Sequence, residues 1–386
     1  MFLKNGPSLL RAATFAAVLT VSAGHATAAT VDRQLFGHMP NGQAVDVYSL
    51  HNDRGIQVRV LTYGGIIQSI DVPDRHGRSG DVVLGFGTLD AYVQTSAKAN
   101  LYFGALIGRY ANRIAQGTFV LDGKTYHTPI NLPPHTLHGG VSGFDKRVWT
   151  VFGTSRNATS ASVTLGLISP DEDQGFPGTV RAYVTYTLDD TNSLTLHFKA
   201  TTDKPTVISM TSHSFWNLGG EGSGSVENEV VRINADRYTP TDASGIPTGE
   251  LQSVIHTPMD FRKATAVGAH LRDAWPQMLM DGGYDKNFVI NGITGTAPRL
   301  SVSVYDPKTG RQLDLLTTQP GQQFYTANGL DGHYVGVSGK AYRQTDALAF
   351  EAEAFPDSPN HPNFPSAVLR PAQVYDQTTI YRFSAR

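Results

Sequence analysis

Hydrophobic and polar residues alternate with a period of two along much of the chain, which is the pattern of β-strands with one buried face. Residues 180–188 and 194–200 both alternate, and the polar Asp-Asp-Thr-Asn sequence between them predicts a β-hairpin. Residues 118–127 predict a second hairpin around an Asp-Gly turn. Residues 300–315 predict a third around Asp-Pro-Lys-Thr-Gly.

A further predicted strand near residue 350 carries Leu348 and Phe350 on one face and Glu351 and Glu353 on the other. Helical periodicity is scarce, and short helices are expected only near 89–97 and 267–274. Many short strands separated by Gly and Pro predict an all-β fold, a large antiparallel β-sandwich. Because no linker, low-complexity tract or clear repeat interrupts the pattern, we predict a single domain over residues 29–386.

The first 28 residues have the features of an export signal rather than of a folded element. Lys4 and Arg11 precede an uncharged run at 12–24, and Ala26-Thr27-Ala28 has the small-x-small pattern of a cleavage site. We therefore predict a signal peptide at residues 1–28, and the alternative is a disordered leader. No later stretch is long and apolar enough to span a bilayer. The expected product is exported, periplasmic in a Gram-negative host, and has no membrane contact after cleavage.

Composition narrows the possible functions. The 31 Lys and Arg residues nearly balance 33 Asp and Glu, giving a net charge of −2, which argues against a nucleic-acid partner. The absence of cysteine excludes disulfides, thiolate metal sites and a cysteine nucleophile. The sequence also lacks a nucleophile elbow, a phosphate-binding loop and a His-Glu-x-x-His zinc motif. His135 and His138 are spaced like metal ligands, but their segment supplies too few further ligands.

Six segments concentrate polar side chains beside glycine and aromatic residues. Such a mixture suits a sugar, whose hydroxyls need donors and acceptors and whose C–H face prefers an aromatic ring. The segments are residues 108–114, 137–146, 211–218, 282–288, 319–325 and 350–360.

Each of these residues also has a purely structural interpretation. Arg109 and Arg113 would be charges at a sheet edge, and His213 would be a hydrogen-bonded core histidine. Glu351 and Glu353 would lie on a solvated strand face. Sequence periodicity alone does not bring the segments together.

Taken together, the segments resemble the aldose 1-epimerase (galactose mutarotase) family. The matching motifs are GRYANRI, LHGG, SHSFWNL, GYDKNF, TTQPGQQFYTAN and the segment that begins at Glu351, in that order along nearly all of the chain after residue 28. The resemblance implies a twisted β-sandwich with an open cleft. It also implies an enzyme without metal or cofactor that interconverts the α and β anomers of free aldohexoses such as D-galactose and D-glucose. The expected state is a monomer or weak homodimer.

The resemblance also implies roles for particular residues. His213, in the third motif, takes the place of the family's general acid, and Glu351 takes the place of its general base. The positions implied to bind the sugar are Asn112, Arg113, His138, Ser214, Phe215, Asp285 and Gln323.

Two residues depart from the family's usual pattern. Glu353 occupies a position that commonly holds glutamine, and it shares a strand face with Glu351. A second carboxylate there is expected to raise the pKa of the base by like-charge repulsion. Phe215 stands where many relatives have tyrosine, which removes one hydroxyl from the expected sugar site.

Three alternatives remain open at this point. The first is a non-catalytic carbohydrate-binding protein with the same fold. The second is an epimerase of phosphorylated or oligomeric sugars, although no cluster of Arg or Lys accompanies the motifs. The third is a glycoside hydrolase that uses two carboxylates, Glu351 and Asp285.

Overall fold

The computed structural model describes residues 1–3, 6, 29–295 and 297–386. The predicted signal peptide therefore lies almost entirely outside the described residues. Within the described ranges, no helix has both the length and the apolar character needed to cross a membrane.

Strands dominate the regular structure of the described residues, and they are numbered here in chain order. They are β1 (Thr30–His38), β2 (Ala44–His51), β3 (Gln57–Leu61), β4 (Ile67–Pro73), β5 (Ser79–Asp81), β6 (Leu106–Ile107), β7 (Arg113–Ile114), β8 (Thr118–Leu121), β9 (Lys124–His127), β10 (Thr136–Leu137), β11 (Thr150–Arg156), β12 (Ser160–Ser169), β13 (Val180–Asp189), β14 (Ser193–Thr202), β15 (Thr206–Val207), β16 (Thr211–Ser212), β17 (Phe215–Trp216), β18 (Val230–Ile233), β19 (Ala235–Thr239), β20 (Gln252–Ser253), β21 (Thr265–Ala266), β22 (Asp285–Ile290), β23 (Arg299–Tyr305), β24 (Arg311–Thr317), β25 (Gly321–Tyr325), β26 (Asp331–Val335), β27 (Ala341–Arg343), β28 (Leu348–Glu353), β29 (Val368–Leu369) and β30 (Tyr375–Ala385).

The helices are short. The α-helices are α1 (Ala97–Ala99) and α2 (Pro276–Asp281), and a π-helical segment, Ala91–Ser96, leads into α1. The 3₁₀ turns are Ala115–Gly117, Phe144–Lys146, Asp173–Gly175, Val267–Ala269 and Ser358–Asn360.

Of the two helical predictions, the first is confirmed in position and the second is wrong over most of its length. The segment expected to be helical at 267–274 forms only a 3₁₀ turn, Val267–Ala269. The helix begins later, where Pro276 occupies its first turn. Proline favours that place because its fixed φ suits the helix and its missing N–H would have no partner there.

Three antiparallel sheets form the sandwich, and the predicted all-β fold is confirmed. The largest sheet has nine strands in the order β11-β12-β13-β14-β30-β24-β23-β18-β21. A six-stranded sheet has the order β17-β28-β25-β22-β19-β20, and a five-stranded sheet runs from β1 to β5. The three predicted hairpins are present as β13–β14, β8–β9 and β23–β24.

The β8–β9 hairpin shows how local sequence determines a turn. Asp122 and Gly123 both have positive φ, 50° and 79°. A two-residue turn with this geometry follows the right-handed twist of its strands, and Asp-Gly is among the sequences that adopt it most readily. The turn chemistry therefore fixes the register of the hairpin.

The side chains of all three large sheets meet in one hydrophobic core. Val60 from β3, Val184 from β13 and Phe350 from β28 belong to the same buried cluster. All six residues of β28 are buried, so the solvated-face interpretation of Glu351 and Glu353 is wrong. One face of β28 packs into the core, and its other face lies beneath the loops that carry the first two motifs.

Arg109 is also a buried residue, which rules out its interpretation as a sheet-edge charge. Its guanidinium donates hydrogen bonds to the carbonyl oxygens of Pro177 and Gly178, both at 2.8 Å, and to the hydroxyl of Ser169 at 2.6 Å. Burial lowers the pKa of Arg109 to about 10, so the group stays charged at neutral pH. This arginine holds the segment between β12 and β13 against the first motif.

Replacing Arg109 should therefore destabilise the fold. We expect Arg109→Met to lower the free energy of unfolding by about 3 kcal/mol or more, because several buried acceptors lose their donor. Urea unfolding followed by circular dichroism measures the change, and Arg181→Met, at an exposed strand position, is the matched control. Equal midpoints for the two variants would contradict this role.

Candidate active site

The floor of the site is one face of the six-stranded sheet. Register pairs Asn287 on β22 with Gln323 on β25, and Gln323 with Glu351 on β28. The next row pairs Asp285 with Tyr325, and then continues across β28 to Phe215 on β17. Because alternate residues of a strand point to the same face, the last three motifs place their polar side chains side by side, and the third motif adds Phe215.

The rim of the site comes from two loops that the glycine motifs bring into close contact. His138 follows β10 and Asn112 precedes β7, and the backbone N–H of His138 donates to the carbonyl of Asn112 at 3.0 Å. Gly139 has φ 84°, and a Cβ there would lie 2.0 Å from the carbonyl oxygen of Gly108. Only glycine permits this approach, so LHGG and GRYANRI pack together through their backbones.

His213 enters the site from the short link between β16 and β17. Its backbone N–H donates to the carbonyl of Ala105 at 2.9 Å, and its own carbonyl accepts from Gly104 at 3.0 Å. These two bonds align the link with the chain just before β6. The imidazole ring contacts Phe215 with a centroid distance of 5.0 Å and Tyr102 with one of 5.7 Å.

Between the sheet and the loops lies a cavity of about 240 Å³. Pockets for drug-sized ligands usually measure about 300–1,000 Å³, so this one suits a smaller molecule such as a monosaccharide. Side chains from all six motifs and from neighbouring segments line it, among them Tyr102, Asn112, Arg113, His138, His213, Phe215, Asp285, Tyr325 and Glu351.

The acid and base candidates meet in this cavity. His213 Nε2 lies 3.4 Å from Glu351 Oε1, and both side chains are almost completely buried, at 6% and 3% exposed. His213 Nδ1 and Glu351 Oε2 have no hydrogen-bond partner among the described residues. Two groups that can transfer protons therefore face a small cavity, and each has an atom without a hydrogen-bond partner among the described residues.

Burial acts in opposite directions on the two members of the pair, because it favours the neutral form of each. It lowers the pKa of His213 to about 4. It raises the pKa of Glu351 well above its ordinary value, with further upward contributions from Glu353 and Asp285. The buried pair thus favours a neutral imidazole and a protonated carboxyl over an imidazolium–carboxylate ion pair.

His138 is oriented as a hydrogen-bond donor to the cavity. Its Nδ1 accepts the backbone N–H of Asn112 at 3.1 Å. Burial lowers the pKa of His138 well below its ordinary value, and the nearby His213 and Arg113 add to the effect. A neutral ring whose Nδ1 accepts a hydrogen bond must carry its proton on Nε2.

Arg113, Asp285 and Gln323 form a connected polar group at one side of the cavity. An Arg113 Nη2 atom lies 3.5 Å from Asp285 Oδ2, and Gln323 Nε2 donates to Asp285 Oδ1 at 2.6 Å. Both oxygens of Asp285 are therefore engaged. The Arg113 side chain is only 18% exposed, which rules out the sheet-edge interpretation for this residue as well.

Most of the residues expected at a sugar site come together here, and two of them do not line the cavity. Gln323 acts on it through Asp285. Ser214 is completely buried, with its hydroxyl 3.4 Å from that of Ser212, so its placement gives no support to direct sugar contact. The sequence analysis missed Tyr102, whose ring contacts His138 at a centroid distance of 4.7 Å. Tyr102 precedes the first motif and lies between Leu101 and Phe103, so no polar neighbour marks it as a site residue.

The cluster also has the composition of a metal site. One ligand atom each from His138, His213 and Glu351 lies within 4.8 Å of the others. Two histidines and one glutamate are a donor set that can bind zinc. Proton transfer between a histidine and a glutamate does not require a metal ion.

A wider open groove of about 1050 Å³ lies elsewhere, between His256 and Trp275. Its charged side chains bind one another: Arg262 pairs with Asp260 at 2.8 Å, and His270 pairs with Asp273 at 2.9 Å. The smaller cavity is the better candidate because its histidine and glutamate each keep an atom without a hydrogen-bond partner among the described residues.

Comparison with known proteins agrees with this geometry. A sequence profile described as aldose 1-epimerase matches residues 46–382. The chain belongs to the aldose 1-epimerase family. It is 42% identical to galactose mutarotase of Homo sapiens over 357 residues, which cover 92% of this chain and 99% of that protein. It is 36% identical to aldose 1-epimerase of Escherichia coli K12, with 90% and 97% covered.

Solved structures of the aldose 1-epimerase family share the fold. Galactose 1-epimerase from Lactobacillus acidophilus superposes with a TM-score of 0.81 at 25% identity, covering 92% of this chain and 99% of that one. An aldose epimerase homologue from C. elegans gives a TM-score of 0.76 at 32% identity, with 86% and 96% covered.

The protonation state of His213 can be measured directly. We expect the His213 imidazole to stay neutral down to about pH 4, because its burial penalises the charged ring. Histidine-selective NMR over an acid titration measures this, with His213→Asn used to assign the signal. A His213 midpoint near the ordinary value of about 6.5 would contradict it.

Proposed function

We propose that this chain is a mutarotase that interconverts the α and β anomers of free aldoses, with D-galactose and D-glucose among its substrates. The observation that carries the proposal is the buried His213–Glu351 pair, 3.4 Å apart and facing a cavity of monosaccharide size. Family membership and the mutarotase relatives support the same reaction.

The reaction is a proton transfer at each end of the hemiacetal. Glu351 takes the proton of the anomeric C1 hydroxyl, and His213 gives a proton to the ring oxygen as the C1–O bond breaks. The sugar opens to its aldehyde, the C1–C2 bond rotates, and the ring closes on the other carbonyl face. Closure reverses both proton transfers, so neither residue is consumed.

Burial makes the proton transfers of ring opening favourable once the Glu351 proton has passed to His213, which converts the resting neutral pair into imidazolium and carboxylate. Opening begins from imidazolium and carboxylate and ends with a neutral His213 and a protonated Glu351. Desolvation raises the free energy of the charged state and leaves the neutral state nearly unaffected, which is why the two pKa values shift as they do. The site is thus prepared for the proton distribution that accompanies the open-chain sugar.

The other cavity groups bind and polarise the substrate. Arg113 and the Nε2–H of His138 are donors for negative charge that develops on oxygen during opening. The ring of Phe215 offers an apolar wall for the C–H face of a pyranose. Among the described residues that line the cavity, Arg113 is the only arginine or lysine, which favours an unphosphorylated sugar.

The geometry also weighs against the hydrolase alternative. A glycosidase needs two carboxyl groups free to act on the glycosidic bond and water. Asp285 has one oxygen bound by Gln323 and the other facing Arg113, so its carboxylate serves to hold its neighbours or a hydroxyl. A non-catalytic binding protein would not explain why His213 and Glu351 are buried together, each with an atom that has no hydrogen-bond partner among the described residues.

Polarimetry tests the proposal directly. Freshly dissolved α-D-galactose and α-D-glucose should relax faster with the purified protein than without it, to the same final rotation and with no new product by chromatography. Saturable sugar binding without acceleration would instead indicate a binding protein, and release of a sugar from a glycoside would indicate a hydrolase.

Substitution of the acid or the base should abolish most of the activity. We expect Glu351→Gln and His213→Asn each to lower kcat about 10²- to 10⁴-fold, the usual contribution of a positioned acid–base group. The matched controls are Glu172→Gln and His333→Asn at exposed positions, which should keep the wild-type rate. Normal turnover by either site variant would refute that residue's assigned role.

We further propose that the protein is exported, with the signal at residues 1–28 removed. The support is the charge and small-residue pattern of that segment. Expression of the full chain in a Gram-negative host should yield a periplasmic product whose N-terminal residue, read by mass spectrometry, is Ala29. An intact N-terminus in the cytoplasmic fraction would count against export.

A further inference from the structure

A second glutamate lies behind the catalytic one, and its contacts lead back into the cavity. Glu353 is fully buried on β28. Its Oε1 accepts one hydrogen bond from Asn112 Nδ2 at 3.0 Å and another from Asn287 Nδ2 at 3.1 Å. Its Oε2 has no hydrogen-bond partner among the described residues. A buried glutamate with this pattern acts mainly as an acceptor for two amides.

Asn112 connects Glu353 to two side chains that line the cavity. Its Oδ1 accepts the backbone N–H of Arg113 at 2.9 Å and the side-chain Nη1 of Arg113 at 3.3 Å. Its backbone N–H donates to His138 Nδ1 at 3.1 Å. The amide of Asn112 can turn its oxygen toward Arg113 only if its NH₂ group has an acceptor on the other side, and Glu353 is that acceptor.

The sheet leaves room for this arrangement. Gly321 on β25 is the register partner of Glu353. A Cβ at Gly321 would lie 2.4 Å from Asn287 Oδ1, so any other residue there would displace the second amide bound to Glu353. Residues of β22, β25 and β28 and the loop before β7 therefore surround Glu353 in a specific arrangement.

We propose that Glu353 is a positioning residue of the mutarotase, which fixes Arg113 and His138 through Asn112. The inference rests on the proposed function. It assigns to Glu353 a task that the glutamate performs through its neighbours, without contact with the sugar.

Burial is the main reason that the pKa of Glu353 is raised to about 8. A protonated carboxyl still presents an oxygen acceptor to both amides, so the positioning does not depend on the charge of Glu353.

Two variants separate geometry from charge. Glu353→Gln keeps an oxygen acceptor for both amides and removes the charge, and Glu353→Met keeps the volume and removes the acceptor. Both are compared with the wild type by polarimetric kcat and KM for D-galactose over a pH series, below the melting temperature of each variant. Glu229→Gln is the matched control, because Glu229 is also buried and its pKa is also raised to about 8, but it does not line the cavity.

We expect Glu353→Gln to keep its kcat/KM within a few-fold of the wild type, because its amide oxygen still accepts from both asparagines. Glu353→Met should raise KM and lower kcat together, with a loss in kcat/KM of up to about 100-fold, the scale for misplaced catalytic groups. A purely structural role would lower the melting temperature, as in Glu229→Gln, and leave the kinetics of the folded enzyme unchanged.

A wild-type kcat/KM in Glu353→Met, or a loss in Glu353→Gln as large as that in Glu353→Met, would overturn the inference. Absence of mutarotation by the wild type would be a failure of the proposed function itself. The two failures are thus distinguishable within one set of measurements.

Discussion

The register between β25 and β28 is the constraint on which the site depends. Phe324 and Phe350 are register partners whose rings stack at 5.1 Å with a 4° angle between their planes. The same register sets Gln323 beside Glu351 on the opposite face. A slip of one residue would exchange the two faces, burying a carboxylate in the aromatic core and exposing a phenylalanine in the cavity. Packing of the core thereby fixes the position of the base.

Sheet and loops supply different parts of the chemistry. The six-stranded sheet provides the carboxylates, Glu351, Glu353 and Asp285, at defined cross-strand spacings. The loops and short links provide the donors, Arg113, His138 and His213. A rigid sheet holds charges that would otherwise repel one another, and the loops can approach it closely only through glycine backbones such as that of Gly139. Neither part forms an acid–base site alone.

Burial then sets the proton chemistry of what the fold has assembled. His213, His138 and Glu351 are each 5% exposed or less, so solvent stabilises no charge on them. Each group shifts toward its neutral form, and their proton affinities come to depend on the few fixed charges nearby.

The sequence by itself determined the strands, the three hairpins and the candidate site residues, because alternation, turn chemistry and motif order are local properties of the chain. It misplaced the helix at α2 and offered buried Arg109, Glu351 and Glu353 an exposed interpretation, because burial depends on what packs over a strand. Only the tertiary structure decided that Ser214 is buried without lining the cavity, that Tyr102 lines it, and that Glu353 reaches Arg113 through Asn112. Those relations join residues far apart in the chain, and they follow from register and loop packing, which local sequence does not specify.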